Sequence, residues 1–320
     1  MVVILSTNVN TVNNIIGANS GLKGVLDKIH EYAHLDQPIT LLAENGAGKE
    51  AIARAIHKAS KRSSATFIRV NCASVPKSLQ WEYLFGDNNA QSRENMGWFG
   101  KAHRGTLLLD EIGSLSIDSQ YTLLGIISNG TITNKSGKPT NIDVRLVVSV
   151  SNNIEEMINK DLFLSELWER LSVFTIEIPP LRKRLDDIAD LADYFAKRAA
   201  ERLGFYPRSL SEYDVKILKS YRWPGNVREL ASVMERAVIL GEGKTLKIKE
   251  ALGGGFEDIS ELKPLDTVIK NHIEKVLKHC KGKVEGKDGA AHLLQINPNT
   301  LRGKMKKLNI DPNEFREENK

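Results

Sequence analysis

The chain has 320 residues, 41% hydrophobic and 27% charged, which is the balance of an ordinary soluble protein with a large core. No run approaches the ~18 apolar residues of a membrane span, and the N-terminus lacks the basic segment of a signal peptide. Only two cysteines occur, Cys72 and Cys280, which excludes a disulfide framework and favours a reducing, cytoplasmic compartment.

Charge is unevenly distributed along the chain. Lys and Arg outnumber Asp and Glu by 45 to 40, but residues 265–310 alone carry ten basic against four acidic side chains. The rest of the chain is therefore close to neutral. A basic C-terminal module favours an acidic partner, with nucleic acid as the first candidate and a merely solvated basic face as the alternative.

The first two-thirds of the chain alternate short apolar runs with helical stretches. Strands are predicted over 38–43, 66–72, 105–112 and 143–152, and an amphipathic helix over 50–60. Short buried strands separated by helices are typical of an α/β fold, a parallel sheet with helices on both faces.

A glycine-rich turn, AENGAGKE at 43–50, joins the first strand to its helix. It resembles the phosphate-binding pattern G-x-x-x-x-G-K-[ST], with Ala43 at the first Gly and Glu50 at the final Ser or Thr. Small residues let backbone N–H groups surround phosphates, and Lys49 adds a positive charge; a chance glycine-rich turn is the alternative. The predicted nucleotide-binding residues of this turn are Glu44, Asn45, Gly46, Ala47, Gly48, Lys49 and Glu50.

Polar side chains end the next three strands. Asp110 and Glu111 follow three leucines in GTLLLDEIG, Asn71 ends the second strand and Asn152 ends VVSVSN. Since the carboxyl ends of parallel strands share one edge, these side chains are expected to line one crevice. Asp110 is predicted to bind Mg²⁺, Glu111 to polarise the attacking water and Asn152 to contact the γ-phosphate or that water. Asn71 could then hold Glu111; ordinary strand-end turns are the alternative for all four.

The last third is helical. Two prolines in IEIPPLRKR (176–184) interrupt regular structure, residues 186–241 show a purely helical period, 242–263 is a predicted linker, and three short helices close the chain. Asn299 is a candidate N-cap of the last helix.

Six motifs in order carry a resemblance to a known family. GAGKEAIARAIHKASKRS, FIRVNCASVP, LFG, GTLLLDEIG, PPLRKRLDDI and WPGNVREL together resemble the AAA+ domain of bacterial enhancer-binding proteins, ATPases that remodel the sigma-54 RNA polymerase holoenzyme. The resemblance implies an N-terminal extension (1–15), an α/β nucleotide-binding subdomain (16–184), a helical lid (185–241), a linker (242–263) and a Fis-type helix-turn-helix domain (264–320). The family's P-loop normally ends in Gly-Lys-Glu, so Glu50 is typical, whereas Ala43 departs from the usual Gly.

The same resemblance assigns roles to single residues. It implies that Lys49 binds phosphate, Asp110 and Glu111 form the Walker B pair and Asn71 switches Glu111. Asn152 is then sensor I, Arg228 in WPGNVREL is sensor II, and Arg170 is the second of two arginine fingers that act on the neighbouring subunit; Leu164 stands where the first should be. The implied cofactors are ATP or ADP with Mg²⁺, and the implied assembly is a ring, expected to be a hexamer or a dimer at rest.

One loop departs from the family. Between LFG and WFGKA, members carry a Gly-Ala-Phe-Thr-Gly-Ala sequence that touches the sigma factor, whereas residues 87–97 here are DNNAQSRENMG. A polar loop without that Phe-Thr tip argues against the standard sigma-54 contact.

The C-terminal helices resemble a Fis-type helix-turn-helix, whose last helix enters the major groove of double-stranded DNA. Asn299, Thr300, Arg302 and Lys304 are candidates for base or phosphate contacts, and Lys306 and Lys307 for phosphate contacts. A small helical oligomerisation module is the alternative.

The sequence therefore predicts a cytoplasmic, ring-forming, ATP-dependent and DNA-binding transcription regulator. RNA polymerase holoenzyme or a regulatory protein is the expected partner, with no membrane. Since no sensing domain precedes residue 16, control is expected from a partner, expression level or nucleotide. The runner-up is a nucleotide-switched repressor or co-regulator with little turnover, and a chaperone-like remodeller is a third possibility.

Overall fold

The structure, a computed structural model, describes residues 15–86, 97–133, 139–151, 153–253 and 265–315. The chain divides into two units, Met1–Gly255 and Phe256–Lys320. Asn152, which the sequence predicts to contact the nucleotide, lies outside the described residues. Residues 87–96, which belong to the loop that departs from the family, also lie outside them.

Seven strands occur among the described residues of the first unit. They are β1 (Ile39–Leu42), β2 (Phe67–Asn71), β3 (Thr106–Asp110), β4 (Thr131–Thr133), β5 (Pro139–Asn141), β6 (Arg145–Val150) and β7 (Thr175–Glu177). Five form a parallel sheet in the order β2-β3-β6-β1-β7, and β4 pairs with β5 in an antiparallel ladder.

The described helices are distributed over both units. In the first unit they are α1 (Lys23–Tyr32), α2 (Lys49–Lys58), α3 (Lys77–Phe85), α4 (Gly97–Lys101), α5 (Ile117–Asn129), α6 (Ile154–Asn159), α7 (Ser165–Leu171), α8 (Asp187–Leu203), α9 (Glu212–Ser220), α10 (Asn226–Leu240) and α11 (Ile248–Ala251). In the second they are α12 (Leu265–His279), α13 (Ala290–Leu293) and α14 (Pro298–Lys307).

Central strands of the sheet are buried on both faces. Every residue of β3 and β6 is buried, which is why TLLLD and RLVVSV lack an alternating polar pattern. Leu107 and Leu109 pack into the core on one face, while Leu108 packs into the core on the other. This double burial confirms the α/β fold, and it brings the carboxyl ends of β1, β3 and β6 to one edge.

The edge strand β7 was not predicted. Thr175–Glu177 has only three residues and lies just before Pro179 and Pro180, so its sequence signal is that of an interruption. Its pairing is nevertheless regular, with Leu41 opposite Ile176 on β1. Tertiary pairing with β1 decides the conformation here, where local sequence does not.

Three long helices follow the sheet. In α8, Ile188, Leu191 and Phe195 recur on one buried face, and α8 packs against α10. The sequence predicts a linker over 242–263; within that range Ile248 and Ala251 of α11 are buried, and α11 packs against α10.

The second unit has a small core of its own. Ile273 and Leu277 of α12 pack with Ala290 of α13 and with Leu301 and Met305 of α14. The three helices match the three predicted from sequence.

The start of α14 corrects one prediction. Its N-cap is Asn297, whose side chain accepts a hydrogen bond from the N–H of Asn299 at 2.9 Å, so the prediction of Asn299 as N-cap is wrong. Pro298 begins the helix, because its fixed φ suits the first helical residue.

Candidate nucleotide site and DNA-binding helix

Residues 43–50, the P-loop, lie between β1 and α2. Ala43 is buried, its N–H donates to the Val150 carbonyl oxygen at 3.2 Å, and it is absent from the described residues with positive φ. An alanine costs no backbone strain in such a position. Positive φ occurs instead at Gly46 (+78°) and Gly48 (+109°), where glycine is tolerated best. The missing first glycine therefore leaves the loop intact.

Lys49 begins α2 and is buried. Its Nζ donates to Asn45 Oδ1 at 3.2 Å across the loop. Burial lowers the pKa of Lys49 from its ordinary value, although the nearby carboxylates of Asp110 and Glu111 oppose that shift. The ammonium group thus lies beside the strand-end carboxylates, as the sequence predicts for a phosphate-binding lysine.

Asp110 is held from two sides at the end of β3. Its Oδ1 accepts a short hydrogen bond from the Ser149 hydroxyl, and its Oδ2 lies 2.5 Å from an Arg69 guanidinium nitrogen. Burial acts to raise the pKa of Asp110, but the hydrogen bonds from Arg69 and Ser149 outweigh it and hold that pKa below its ordinary value. The carboxylate is thus ionised and anchored.

Glu111 follows in a strained conformation. Its φ of +61° is in the left-handed region, which non-glycine residues seldom adopt, and its N–H donates to the Ser149 hydroxyl at 3.0 Å. Ser149 therefore contacts both residues of the predicted Walker B pair. Asn71 lies opposite Asp110 in the β2–β3 register, but its side-chain oxygen accepts from the Ala73 N–H at 2.9 Å. In this state that oxygen caps a turn.

Glu50, which stands where the P-loop pattern has Ser or Thr, is paired with two arginines. One carboxylate oxygen accepts from Arg54 at 2.9 and 3.0 Å, and the other lies 3.3 Å from Arg69. A continuous chain of charges therefore runs from Arg54 through Glu50 and Arg69 to Asp110. Its effect is to orient the guanidinium group that contacts Asp110.

The start of α10 in the lid contacts the P-loop directly. The Arg228 N–H donates to the Gly46 carbonyl oxygen at 3.3 Å, and a Cβ added at Gly46 would lie 2.3 Å from the Gly225 carbonyl oxygen. Arg228 is exposed, and its charge contributes to the lowered pKa of Lys49. Arg228 is thus placed at the mouth of the loop, where sensor II is expected.

Side chains reinforce the contact between P-loop and lid. Glu44 accepts two hydrogen bonds from Arg182 and one from the Asn226 amide, and Arg184 donates to the Ala47 carbonyl oxygen at 2.8 Å. The bonds from Arg182 lower the pKa of Glu44 to about 2. The sequence assigns Glu44 to the nucleotide, whereas the structure shows its carboxylate bound to the lid.

The candidate arginine finger lies on α7. Arg170 is about half exposed and lies 3.6 Å from Glu166 of the preceding turn. Leu164 is the N-cap residue of the same helix, and its side chain packs against the core. Leucine is therefore part of the packing at the position where the resemblance expects the first finger.

Four residues of the site were not predicted from the sequence, namely Ser149, Arg69, Arg182 and Asn226. A signal exists for two of them, because a serine within RLVVSV and an arginine within TFIRVN are polar residues in otherwise apolar strands. Ser149 is buried and therefore needs a partner, and the exposed Arg69 carries a charge, so each could have been matched to the nearby strand-end carboxylates. Arg182 and Asn226 carry no such signal, since their contacts cross from the lid to the P-loop.

In the second unit, α14 presents the candidate DNA contacts. All six predicted residues are exposed, namely Asn299, Thr300, Arg302, Lys304, Lys306 and Lys307. Arg302 pairs with Glu285 at 2.7 Å and Lys307 with Asp266 at 3.3 Å. Since Leu301 and Met305 fix the opposite face in the core, the basic face is turned to solvent.

The sheet order, the P-loop and the helical lid define an AAA+ P-loop fold. Three family models match successive segments of the chain. The sigma-54 interaction domain matches residues 15–177, the AAA+ ATPase lid domain 182–252, and the bacterial regulatory protein Fis family 265–308. The chain belongs to the sigma-54 interaction domain family of bacterial transcription regulators.

Curated relatives point the same way. The formate hydrogenlyase transcriptional activator FhlA of Escherichia coli K12 is 36% identical over 313 residues, 93% of this chain and 44% of its own length. The nitrogen fixation protein AnfA of Azotobacter vinelandii is 38% identical over 235 residues, 72% of this chain and 44% of its own. The chain therefore spans less than half the length of these relatives.

Among solved structures, NtrX from Brucella abortus is similar. One structure of it aligns with a TM-score of 0.69 and 28% identity, covering 91% of this chain and 68% of NtrX. A second contains ADP, with a TM-score of 0.69, 27% identity and coverages of 92% and 69%. A third contains ATP, with a TM-score of 0.67, 26% identity and coverages of 96% and 70%.

Within the described ranges, no helix has both the length and the apolar character required to cross a membrane.

Proposed function

We propose that the protein is a DNA-binding transcription regulator that binds ATP or ADP at the P-loop and hydrolyses ATP at subunit interfaces. The observation that carries this proposal is the convergence of Lys49, Asp110, Glu111 and Arg228 on one loop. The same chain bears an exposed basic helix in a Fis-type domain.

The nucleotide phosphates would be held by the P-loop backbone and by Lys49. The positive φ of Gly46 and Gly48 lets the loop turn tightly around a phosphate, and the α2 N-terminus would add its partial positive charge. NtrX, which has the same fold, has been solved with both ADP and ATP, and this supports the assignment.

Mg²⁺ fits the donor chemistry at Asp110. A hard cation prefers carboxylate oxygen, and Asp110 offers an ionised one within electrostatic reach of Lys49. When bound, the metal would supply charge neutralisation for the phosphates. Arg69 occupies Asp110 Oδ2, so the guanidinium must share or release that oxygen.

Hydrolysis would be completed between subunits. Glu111 would polarise the attacking water, and Arg170 of a neighbouring copy would neutralise charge on the γ-phosphate. Asn71 would switch Glu111, and Asn152 would contact the γ-phosphate. A ring, expected to be a hexamer with a dimer as resting form, supplies the required neighbour.

Double-stranded DNA, RNA polymerase holoenzyme or a regulatory protein, and further copies of the chain are the partners proposed. The names of the relatives, transcriptional activators of formate hydrogenlyase among them, support a role at promoters. The sequence DNNAQSRENMG at 87–97 supports a mode of control other than the standard sigma-54 contact.

A second candidate is a repressor or co-regulator that is switched by nucleotide with little turnover. Leu164 favours it, because an arginine finger can be worth ~10³-fold or more in rate and one of the pair is absent.

The test of nucleotide binding is Lys49→Ala measured by calorimetry. Loss of the buried ammonium is expected to abolish ATP and ADP binding. Lys58→Ala, at the exposed end of the same helix, is the matched control and should bind as the wild type does. Unchanged affinity in Lys49→Ala would refute the proposed site.

A further inference from the structure

Glu44, Arg182 and Asn226 form a cluster that we name the P-loop clamp. Arg182 donates from both terminal nitrogens to the Glu44 carboxylate, one of them at 2.8 Å. Bidentate arginine–carboxylate pairs of this kind fix orientation as well as charge. The pair joins the second residue of the P-loop to the segment that leads into the lid.

Asn226 is the buried member of the clamp. Its amide nitrogen donates to Glu44 Oε2 and to the Asn45 carbonyl oxygen, both at 3.1 Å, and its amide oxygen accepts from the Leu181 N–H at 2.8 Å. The residue is fully buried. One amide thus connects the P-loop, the segment before α8 and the first residue of α10.

Only asparagine meets all of these demands. The position has φ of +54°, which asparagine tolerates better than most side chains, and its amide supplies both a donor and an acceptor. Aspartate would lack the donor and face the ionised Glu44. Glycine would adopt the conformation but make none of the bonds.

Two backbone contacts tie the clamp to the phosphate-binding turn. The Gly46 carbonyl accepts from the Arg228 N–H, two residues beyond Asn226, and Gly225 packs directly on Gly46. A shift of the P-loop therefore moves the start of α10, and a shift of Asn226 moves the loop.

We propose that Asn226 is a positioning residue for nucleotide binding, and that Glu44 acts through it and Arg182 as the lid anchor of the P-loop. Nucleotide occupancy and lid orientation are then coupled through this one amide. The inference rests on the proposed nucleotide binding and deepens it. In this account the Glu44 side chain binds the lid, whereas the sequence predicts that Glu44 binds the nucleotide.

The experiment is a double-mutant cycle in the full chain. Glu44→Gln, Asn226→Asp and the double variant are compared with the wild type for ADP affinity by calorimetry. Asn226→Asp places two carboxylates in contact and should weaken ADP binding about ten-fold or more. In the double variant the introduced glutamine amide can donate to the introduced aspartate, so ADP affinity should recover part of the loss. Recovery is incomplete because the Asn45 carbonyl still faces a carboxylate oxygen.

Controls separate positioning from general damage. Glu235→Gln removes an exposed carboxylate of the lid that pairs with Arg202, away from the P-loop, and should leave ADP affinity unchanged. If Asn226→Asp fails to fold, Arg182→Gln replaces it, since that side chain is 42% exposed, and its loss should weaken ADP binding in the same direction.

The outcomes distinguish the inference from the proposed function. Additive losses with no recovery in the double variant would overturn the clamp. If the wild type binds no ADP, the proposed function fails, and the clamp is then decided by thermal unfolding of the same four proteins without nucleotide. If the effects of the two substitutions on thermal unfolding are coupled, the clamp is supported; if they are additive, the clamp is overturned.

Discussion

At the scale of single residues, Arg69 is the least expected feature of the nucleotide site. It lies 2.5 Å from the carboxylate assigned to Mg²⁺ and is itself oriented by Glu50. Arg69 and a bound metal would both draw on the charge of this carboxylate and repel each other, so we infer that they compete for Asp110. Glu50, which stands where the P-loop pattern has Ser or Thr, forms an ion pair with Arg69 and so helps to hold the arginine beside Asp110.

We predict that Arg69→Met lowers the Mg²⁺ concentration needed for half-maximal Mg²⁺-dependent binding of ADP. The physical reason is that Asp110 loses a competing positive charge. Mg²⁺ titrations at fixed ADP, read by calorimetry, measure this value.

Lys58→Met is the matched control for that titration, since it removes an exposed positive charge from α2 that has no contact with Glu50, Arg69 or Asp110. A Mg²⁺ requirement in Arg69→Met equal to or above that of the wild type would show that Arg69 does not compete.

The Glu44 carboxylate gives a prediction for pH. Its folded pKa of about 2 lies below the ordinary value of 4.5, so its stabilisation is complete above 4.5 and is lost as the pH falls toward 2. Glu44→Gln should therefore be less stable than the wild type at pH 7, and the difference should shrink steadily below pH 4.5. Urea unfolding at several pH values checks this; a difference independent of pH would mean that the ion pair with Arg182 contributes nothing.

At the scale of elements, the sequence predicts best where local pattern and tertiary packing agree. The strand GTLLLDEI and the helix after GAGK carry their own signals, and both occur within about two residues of the expected bounds. The prediction fails at β7, where three residues are fixed by pairing with β1, and at α14, where Pro298 places the cap at Asn297. The sequence also does not predict the contacts between the P-loop and the lid. Glu44 and Asn226, for example, are 182 positions apart, and no local pattern links them.

The candidate DNA-binding helix, α14, contains a glycine that the fold does not require. Gly303 is exposed in α14, has no positive φ, and a Cβ added there meets nothing within 4 Å. It lies on the helix face of Asn299, Lys306 and Lys307, by the spacing of three and four residues. We infer that a glycine there would allow the helix backbone to approach DNA closely.

Gly303→Ala should therefore raise the stability of the second unit by about 0.5–1 kcal/mol while weakening binding to a specific duplex. Thermal unfolding and fluorescence anisotropy, with a duplex identified by genome-wide mapping, measure the two effects. Gly125→Ala in α5 is the control, because it also meets nothing within 4 Å and should stabilise without changing DNA affinity. Unchanged or tighter DNA binding by Gly303→Ala would place this face away from the groove.

At the scale of the whole molecule, the chain joins a nucleotide-binding unit to a DNA-binding unit. The matched region covers 44% of FhlA and 44% of AnfA, so what these relatives activate is not transferred to this chain. The sequence resemblance implies that DNNAQSRENMG, residues 87–97, stands where family members carry their sigma-contacting sequence. We predict that the protein does not open a sigma-54 promoter, because that loop lacks the Phe-Thr tip. In vitro transcription on such a promoter, with a family member that carries the tip as positive control, checks this; ATP-dependent opening would contradict it.

The central claim is that ATP is hydrolysed between subunits, with Arg170 completing the site of a neighbour. Steady-state ATPase activity per protomer, measured against protein concentration, tests it most directly. We predict activity that is low in dilute protein, rises steeply as rings form, and is lost at all concentrations in Arg170→Ala. Turnover that stays at background at ring-forming concentrations would contradict the claim and leave a nucleotide-switched DNA-binding protein in its place.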